Sequence, residues 1–285
     1  MNQFKETLMK YIFLLSAMLS IFSVVLICLF LFINGIPAMS EIGVFNFLLG
    51  RRWTPIDVPP IFGILPMILG SIYVTIGAIV IGVPIGILTA VFMAEMCPKP
   101  FYKILKPSVD LLAGIPSVVY GFFGLVVIVP FIRTNFQGNG LSMLAASILL
   151  GIMILPTIIS ITENSIRAVP KSYYDGAVAL GASHERAIFS VILPAAKSGI
   201  MAGVILGIGR AIGETMAVVM VAGNQARVPT GPLEGVRTLT TNIVLEMSYA
   251  AELHRGALVA TAVVLFVFIL ILNLLFSLLS KGEKI

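Results

Sequence analysis

Five long stretches of this chain carry no charged residue: Tyr11–Ile33, Phe62–Ala94, Leu111–Ile132, Leu141–Thr162 and Ala257–Ser280. A bilayer core of ~30 Å takes about 20 apolar residues per helix, and every one of these stretches is at least that long. In water such runs would need a core larger than a chain of this length can build. Hydrophobic residues make up 59% of the 285 residues and charged ones 11%, against ~25% charged in soluble domains. The chain is therefore expected to be an all-α integral membrane protein. Disordered, collagen-like and coiled-coil readings fail on the same composition.

A sixth run, Ser198–Gly223, is apolar except for Arg210 and Glu214. The expected layout is an N-terminal segment, 1–63, with a helix at 11–33 and an outer loop. A core at 64–280 follows, with spans near 64–94, 111–132, 141–162, 198–223 and 257–280, and then a tail at 281–285. The second run is ~50 Å long as a straight helix, so Pro66 and Pro84 are its expected breakpoints. The first run exceeds the length of a signal-peptide core and is read as a retained helix.

Positive charge fixes the sides. With the N-terminus inside, inner segments hold Lys5, Lys10, Lys99, Lys103, Lys106, Arg167, Lys171, Arg186, Lys197, Lys281 and Lys284. Outer segments hold Arg51, Arg52, Arg133, Arg227, Arg237 and Arg255; eleven, six and Arg210 make the 18. N-in and C-in follows, and the basic balance calls for lipid contact and no nucleic acid. Cys28 and Cys97 lack metal or CxxC spacing and read as packing residues. In the outer segment 224–255, Leu239, Ile243, Met247 and Ala251 have helical spacing and predict a short amphipathic helix.

Segment 163–197 is the most patterned inner loop. Ser172-Tyr173-Tyr174-Asp175 has capping-box form, a short helix follows, and Gly181 is placed to end it in the left-handed conformation. Ser183 caps a second helix with Glu185 in its first turn, and Pro194 is expected to stop it. This helix–Gly–helix hairpin, 172–194, resembles the loop signature of permease subunits of ABC importers. That signature is Glu-Ala-Ala, three residues, Gly, nine residues, then Ile-x-Leu-Pro. Here Asp175-Gly176-Ala177, Gly181 and Val191-Ile192-Leu193-Pro194 keep the spacing, with Asp for Glu, Gly for Ala and Val for Ile. The resemblance implies a type I importer permease fold. It also implies that Tyr174, Asp175, Gly176, Ala177, Gly181, Leu193 and Pro194 form a coupling helix seated on a cytoplasmic ATPase subunit. No GxxxxGK[ST] loop is present, so ATP and Mg would be held by that partner; the chain itself is read as a permease and no enzyme. The glycines of 207–213 have one residue too many for a dinucleotide fingerprint and lie within a span.

Arg210 lies ~18 Å along its run, near mid-bilayer, where a charge costs at least ~2.5–3.5 kcal/mol. Glu214 follows by one helical turn and is expected on the same face, paired with it. The pair is either a buried structural ion pair or part of a substrate pathway in which Arg210 meets an anion. Gly199, Gly203 and Gly207 recur every four residues, which predicts close packing of this helix on another. The words Gly209-Arg210-Ala211-Ile212-Gly213-Glu214-Thr215-Met216-Ala217-Val218 and Gly114-Ile115-Pro116-Ser117-Val118-Val119-Tyr120-Gly121 resemble the permeases of phosphate-specific importers, the PstC type more than the PstA type. Pro116 is expected to kink the third span near its inner end; Ser117 and Thr215 are weaker candidates for contact with an oxyanion.

The resemblance implies a subunit that forms half of an inward pathway for inorganic phosphate. Its partners would be a second permease subunit (PstA-type or an identical copy), two cytoplasmic ATPase subunits and an extracytoplasmic phosphate-binding protein. A permease for sulfate or molybdate stays open, as does an ion-coupled secondary transporter using Arg210 and Glu214.

Overall fold

A computed structural model of the chain describes residues 2–136 and 138–281, with side chains from Lys5 to Leu274. Most of the predicted tail, 282–285, lies outside the described residues. The elements are α1 (Asn2–Ile42), α2 (Val44–Leu49), the short strands β1 (Trp53–Thr54) and β2 (Ile61–Phe62), α3 (Leu65–Val91), α4 (Lys99–Gly114), α5 (Ser117–Phe123), α6 (Val129–Phe136), α7 (Met143–Arg167), α8 (Lys171–Ala179), α9 (His184–Ala187), α10 (Leu193–Gly213), α11 (Met216–Val221), α12 (Leu239–Glu246) and α13 (Glu252–Lys281). Single π-helical turns at 92–96, 124–128 and 188–192 extend α3, join α5 to α6 and join α9 to α10. Six helical stretches among the described residues are long and apolar enough to cross a membrane: Lys5–Ile42, Leu65–Met96, Ser117–Phe136, Met143–Arg167, His184–Gly213 and Glu252–Leu274.

The first span is longer than expected, Lys5–Ile42 against 11–33, and the third and fifth are displaced. The third span begins at Ser117, not at Leu111. Ile115 precedes a proline, which disfavours the helical region, and it is extended at ψ 127. Leu111–Gly114 instead close α4, an unpredicted helix. Its Tyr102, Leu105 and Val109 pack on Ala90, Met93, Leu155 and Ile159. Pro116 is thus the N-cap of α5 and not a kink within a continuous helix. The fifth span is His184–Gly213, shifted from 198–223. Pro194 does not stop it, because the π turn at 188–192 changes the hydrogen-bond register just before the proline, which then sits in the first turn of α10.

The centre of the bundle is α7, with 61% of its span buried. Its Ala145, Ala146, Leu149, Leu150, Met153, Ile154 and Ile158 pack with Val74 and Ala78 of α3, Tyr120, and Ala217, Val218 and Val221 of α11. The predicted glycine stripe of α10 faces this helix. A Cβ at Gly199 would overlap the Ser165 side chain, and at Gly203 and Gly207 it would lie 3.2 and 3.0 Å from Ile161 and Ile158. Around the start of α3, Phe47, Trp53, Phe62, Ile64 and Met67 pack with Leu239, Ala257 and Leu258. The helix predicted in segment 224–255 exists as α12, opened by a capping box between Thr238 and Thr241. It is more polar on its buried side than expected: Thr240, Thr241, Asn242 and Glu246 point inward.

In contrast, α1 is exposed along its span and packs mainly on α13. Its few polar side chains bond back to their own helix: Ser16, Ser20, Ser23 and Asn34 each donate to the carbonyl four residues earlier, at 2.7–3.0 Å.

Candidate functional site

The helix carrying Arg210 ends at Gly213. Glu214 is extended (φ −69, ψ 133), Thr215 is the N-cap of α11, and the chain resumes helix at Met216. This break corrects the expectation that Arg210 and Glu214 pair on one helical face. Arg210 Nη1 instead donates to Thr157 Oγ1 of α7 at 3.3 Å, and the Glu214 carboxylate accepts the Ala217 amide at 3.1 Å. No Arg210–Glu214 ion pair forms among the described residues. The Glu214 carbonyl, which a continuing helix would have bonded to the Val218 amide, accepts the Thr240 hydroxyl of α12 at 3.0 Å. Thr215 Oγ1 turns back to the Gly213 carbonyl at 3.3 Å.

A second break, at Ile115–Pro116, lies beside the first, because α5 and α11 pack together. A Cβ at Gly121 would lie 2.7 Å from Met220 Sδ and 3.0 Å from Ala217 Cα. Ser117 opens α5, half-buried, and Tyr120 lies buried one turn on. The Tyr120 hydroxyl donates to the Leu112 carbonyl at 2.8 Å, bridging the break. Around these groups Gly114, Gly209 and Gly213 face open space: a Cβ at any of them would touch nothing within 4 Å. The arrangement is a mid-membrane cation, held among the described residues by one hydroxyl and no carboxylate, beside open space flanked by two interrupted helices. Thr157 stands near the midpoint of α7, which runs from Met143 to Arg167, so the guanidinium sits near the middle of the bundle. It can offer paired N–H donors to an oxyanion.

The 172–194 hairpin forms nearly as predicted. Gly181 has φ +87; its amide bonds to Val178 O at 2.9 Å and the Ala182 amide to Ala177 O at 3.1 Å, the two bonds of a Schellman turn. Ser183 caps α9 by accepting the Arg186 amide. The first cap differs: α8 starts at Lys171 after Pro170, whose fixed φ presets the turn, and Ser172 is already helical. Asp175 and Gly176 are exposed and Ala177 half-buried, while Leu180 at the tip is 92% exposed. The Tyr174 hydroxyl lies 3.0 Å from His184 Nδ1, tying the two arms. Leu193 packs into the cluster of Val91, Ile166, Ile188, Ile192 and Ala196 that roots the hairpin; Pro194 is exposed.

Two charged networks escaped the sequence reading. Near the C-terminal end of α7, Glu163, 1% exposed, accepts from Tyr102 at 2.6 Å and from Arg167 at 2.9 Å, with Lys106 at 3.3 Å. Arg167 also bonds the Met93 carbonyl and lies over the Tyr102 ring. The bond to Glu163, with burial, holds the Tyr102 phenol above its ordinary value. Burial alone would push the Lys106 ammonium down, but Glu163 and Asp110 outweigh it and hold it up. At the end of α12, buried Glu246 accepts from Trp53 Nε1 at 2.8 Å, pairs with Arg237 and lies 2.9 Å from His254 Nε2. The one sequence signal was Glu163 four residues before Arg167 at the end of a span; the other partners come from distant segments.

A family profile described as "Binding-protein-dependent transport system inner membrane component" matches residues 82–284. The chain is 41% identical over its whole length to "Probable ABC transporter permease protein YqgH" of Bacillus subtilis, covering 94% of that protein. It is 36% identical to "Phosphate transport system permease protein PstC" of Mesorhizobium japonicum, across 83% of this chain and 78% of that one. Among solved structures, a subunit of a bacterial alginate ABC transporter shares the fold with a TM-score of 0.65 at 18% identity, covering 95% of this chain and 96% of its own.

Proposed function

Because the chain belongs to the family of binding-protein-dependent transport system inner membrane components, we propose that it is the permease subunit that moves inorganic phosphate inward in an ATP-driven importer. It lies N-in and C-in, with the 172–194 hairpin in the cytoplasm. It forms half of the pathway, with a PstA-type subunit or an identical copy as the other half. Two cytoplasmic ATPase subunits bind ATP and Mg, and an extracytoplasmic phosphate-binding protein delivers the substrate. The likeness to a PstC protein supports the substrate, and the hairpin's Schellman turn and bare Leu180 tip support docking on the ATPase.

The observation that carries the reading is Arg210. A guanidinium in mid-membrane without a carboxylate partner is costly, and a desolvated anion passing through the open space beside Gly209 and Gly213 repays it. Glu214 caps α11 within the same break, and Ser117 and Thr215 are the hydroxyls at the two interruptions. Arg210 is not paired with Glu214, so Arg210→Gln removes the anion's partner without stranding a carboxylate. Losing a desolvated ion pair costs at least ~2–5 kcal/mol, so phosphate uptake in the reconstituted complex falls more than about thirtyfold while the complex still copurifies. Near-wild-type uptake by Arg210→Gln sinks the reading. Competition between phosphate and sulfate in the same vesicles decides the oxyanion: excess sulfate leaves phosphate uptake unchanged if phosphate is the cargo.

A further inference from the structure

We propose that Thr240, on the outer helix α12, is a positioning residue of the mid-membrane site: its hydroxyl holds the α10–α11 break open and so keeps the Glu214 carboxylate from neutralising Arg210. This rests on the phosphate reading of Arg210 and adds to it the group that keeps that charge available.

Glu214 follows Arg210 at the i, i+4 spacing, so an uninterrupted helix would set them side by side. In a low-dielectric site such an acid would compete with any incoming anion. Three hydrogen bonds fix the alternative. Arg210 reaches across to Thr157, the Glu214 side chain turns forward onto the Ala217 amide, and the Glu214 carbonyl is taken by Thr240 at 3.0 Å. The first two are choices of a side chain. The third comes from another element, well along the chain, and supplies the bond the carbonyl loses when the helix breaks.

Thr240 is well placed for this. It is buried, and its hydroxyl also meets Thr238 Oγ1 at 2.9 Å. The helix bearing it is fastened at both ends. The Leu239 amide bonds Ser71 of α3 at 3.0 Å, and Glu246 joins Trp53, Arg237 and His254. A hydroxyl on so constrained a helix fixes the position of the carbonyl it meets. The break is thereby held by the outer layer and not by the transmembrane helix in which it lies.

The test uses the complex with its partner subunits in proteoliposomes, following inorganic phosphate. Thr240→Val keeps the shape and removes the donor. The freed carbonyl recovers its bond by closing the helix, which brings Glu214 back beside Arg210. At a fixed, subsaturating phosphate concentration, uptake falls about tenfold, the effect of one buried hydrogen bond. Thr240→Ser, which keeps the hydroxyl, transports like wild type. Adding Glu214→Gln to Thr240→Val restores uptake, because the amide still caps Ala217 but cannot neutralise Arg210. A purely structural role for Thr240 would give no such rescue. Should Thr240→Val fail to copurify with its partners, Thr240→Ala carries the same comparison. Wild-type rates in Thr240→Val, a serine variant as poor as valine, or a double variant no better than the single one each overturn the proposal. Arg210→Gln in parallel separates the two claims. If it transports normally, the phosphate reading falls and takes this one with it. If it is inactive while Glu214→Gln gives no rescue, only the role of Thr240 falls.

Discussion

Replacing Gly181 isolates backbone conformation from packing. Its φ of +87 lies in the left-handed region, and a Cβ there would meet nothing within 4 Å. The cost of a side chain is therefore conformational only, about 1–2 kcal/mol, with a β-branched residue at the upper end. That lowers the population of the native hairpin turn about 5–30-fold. The two Schellman bonds, from Gly181 to Val178 and from Ala182 to Ala177, are lost with it, and α8 no longer meets α9 at the angle that presents Leu180. The spans themselves are untouched, so insertion and yield stay normal. In the reconstituted complex, uptake per ATP hydrolysed falls in the order Gly, Asn, Ala, Val, since Asn tolerates this conformation best after Gly. Full coupling in Gly181→Val refutes the reasoning. An Asn variant as poor as Val does so as well, because it would mean that bulk and not φ matters.

Three further outcomes are expected. Cysteines placed at Lys103 and at Arg227, in a background without Cys28 and Cys97, react with an impermeant reagent from opposite sides of the membrane; labelling from one side overturns the topology. Arg227 serves as the second probe because it is largely exposed, whereas Arg237 is ion-paired. Glu246→Ala leaves Arg237 buried without its carboxylate and lowers stability by about 3–5 kcal/mol, read as a fall in the thermal midpoint of the purified complex; an unchanged midpoint contradicts this. The Glu234 carboxyl is held below its usual range by the Thr230 amide, then the Thr230 hydroxyl, with Arg227 nearby. A depressed folded value means its contribution is present above the ordinary carboxylate range and lost as pH falls through the folded one. Protection of the Thr230 amide relative to its intrinsic exchange rate falls in acid, and protection that persists at low pH rules this out.

What the sequence made legible was what a short window contains. Spans are legible because burial in lipid is a sum over about 20 neighbours, and the Gly181 turn and Ser183 cap because each is a local conformational choice. The two interruptions were hidden by the same averaging: Ile115-Pro116 and Gly213-Glu214-Thr215 sit inside apolar runs that hydropathy treats as continuous. Pro116 was read as a kink although the residue before a proline favours extended backbone. Glu214 was assigned by helical periodicity to Arg210, but its carbonyl is claimed by Thr240, and no periodicity reports a donor on a separate outer helix. Glu163 and Glu246 likewise draw partners from remote segments, Tyr102 and Trp53.

The way α1 is attached also sets a timetable. It ends at Ile42, and its partner α13 begins only at Glu252. At a synthesis rate of about 5–20 residues per second, roughly 10–40 s pass between the two entering the membrane. Through that interval the first helix has only lipid for company. Its serines and Asn34 are already satisfied by carbonyls of their own turn, so it can wait without a polar group seeking a neighbour.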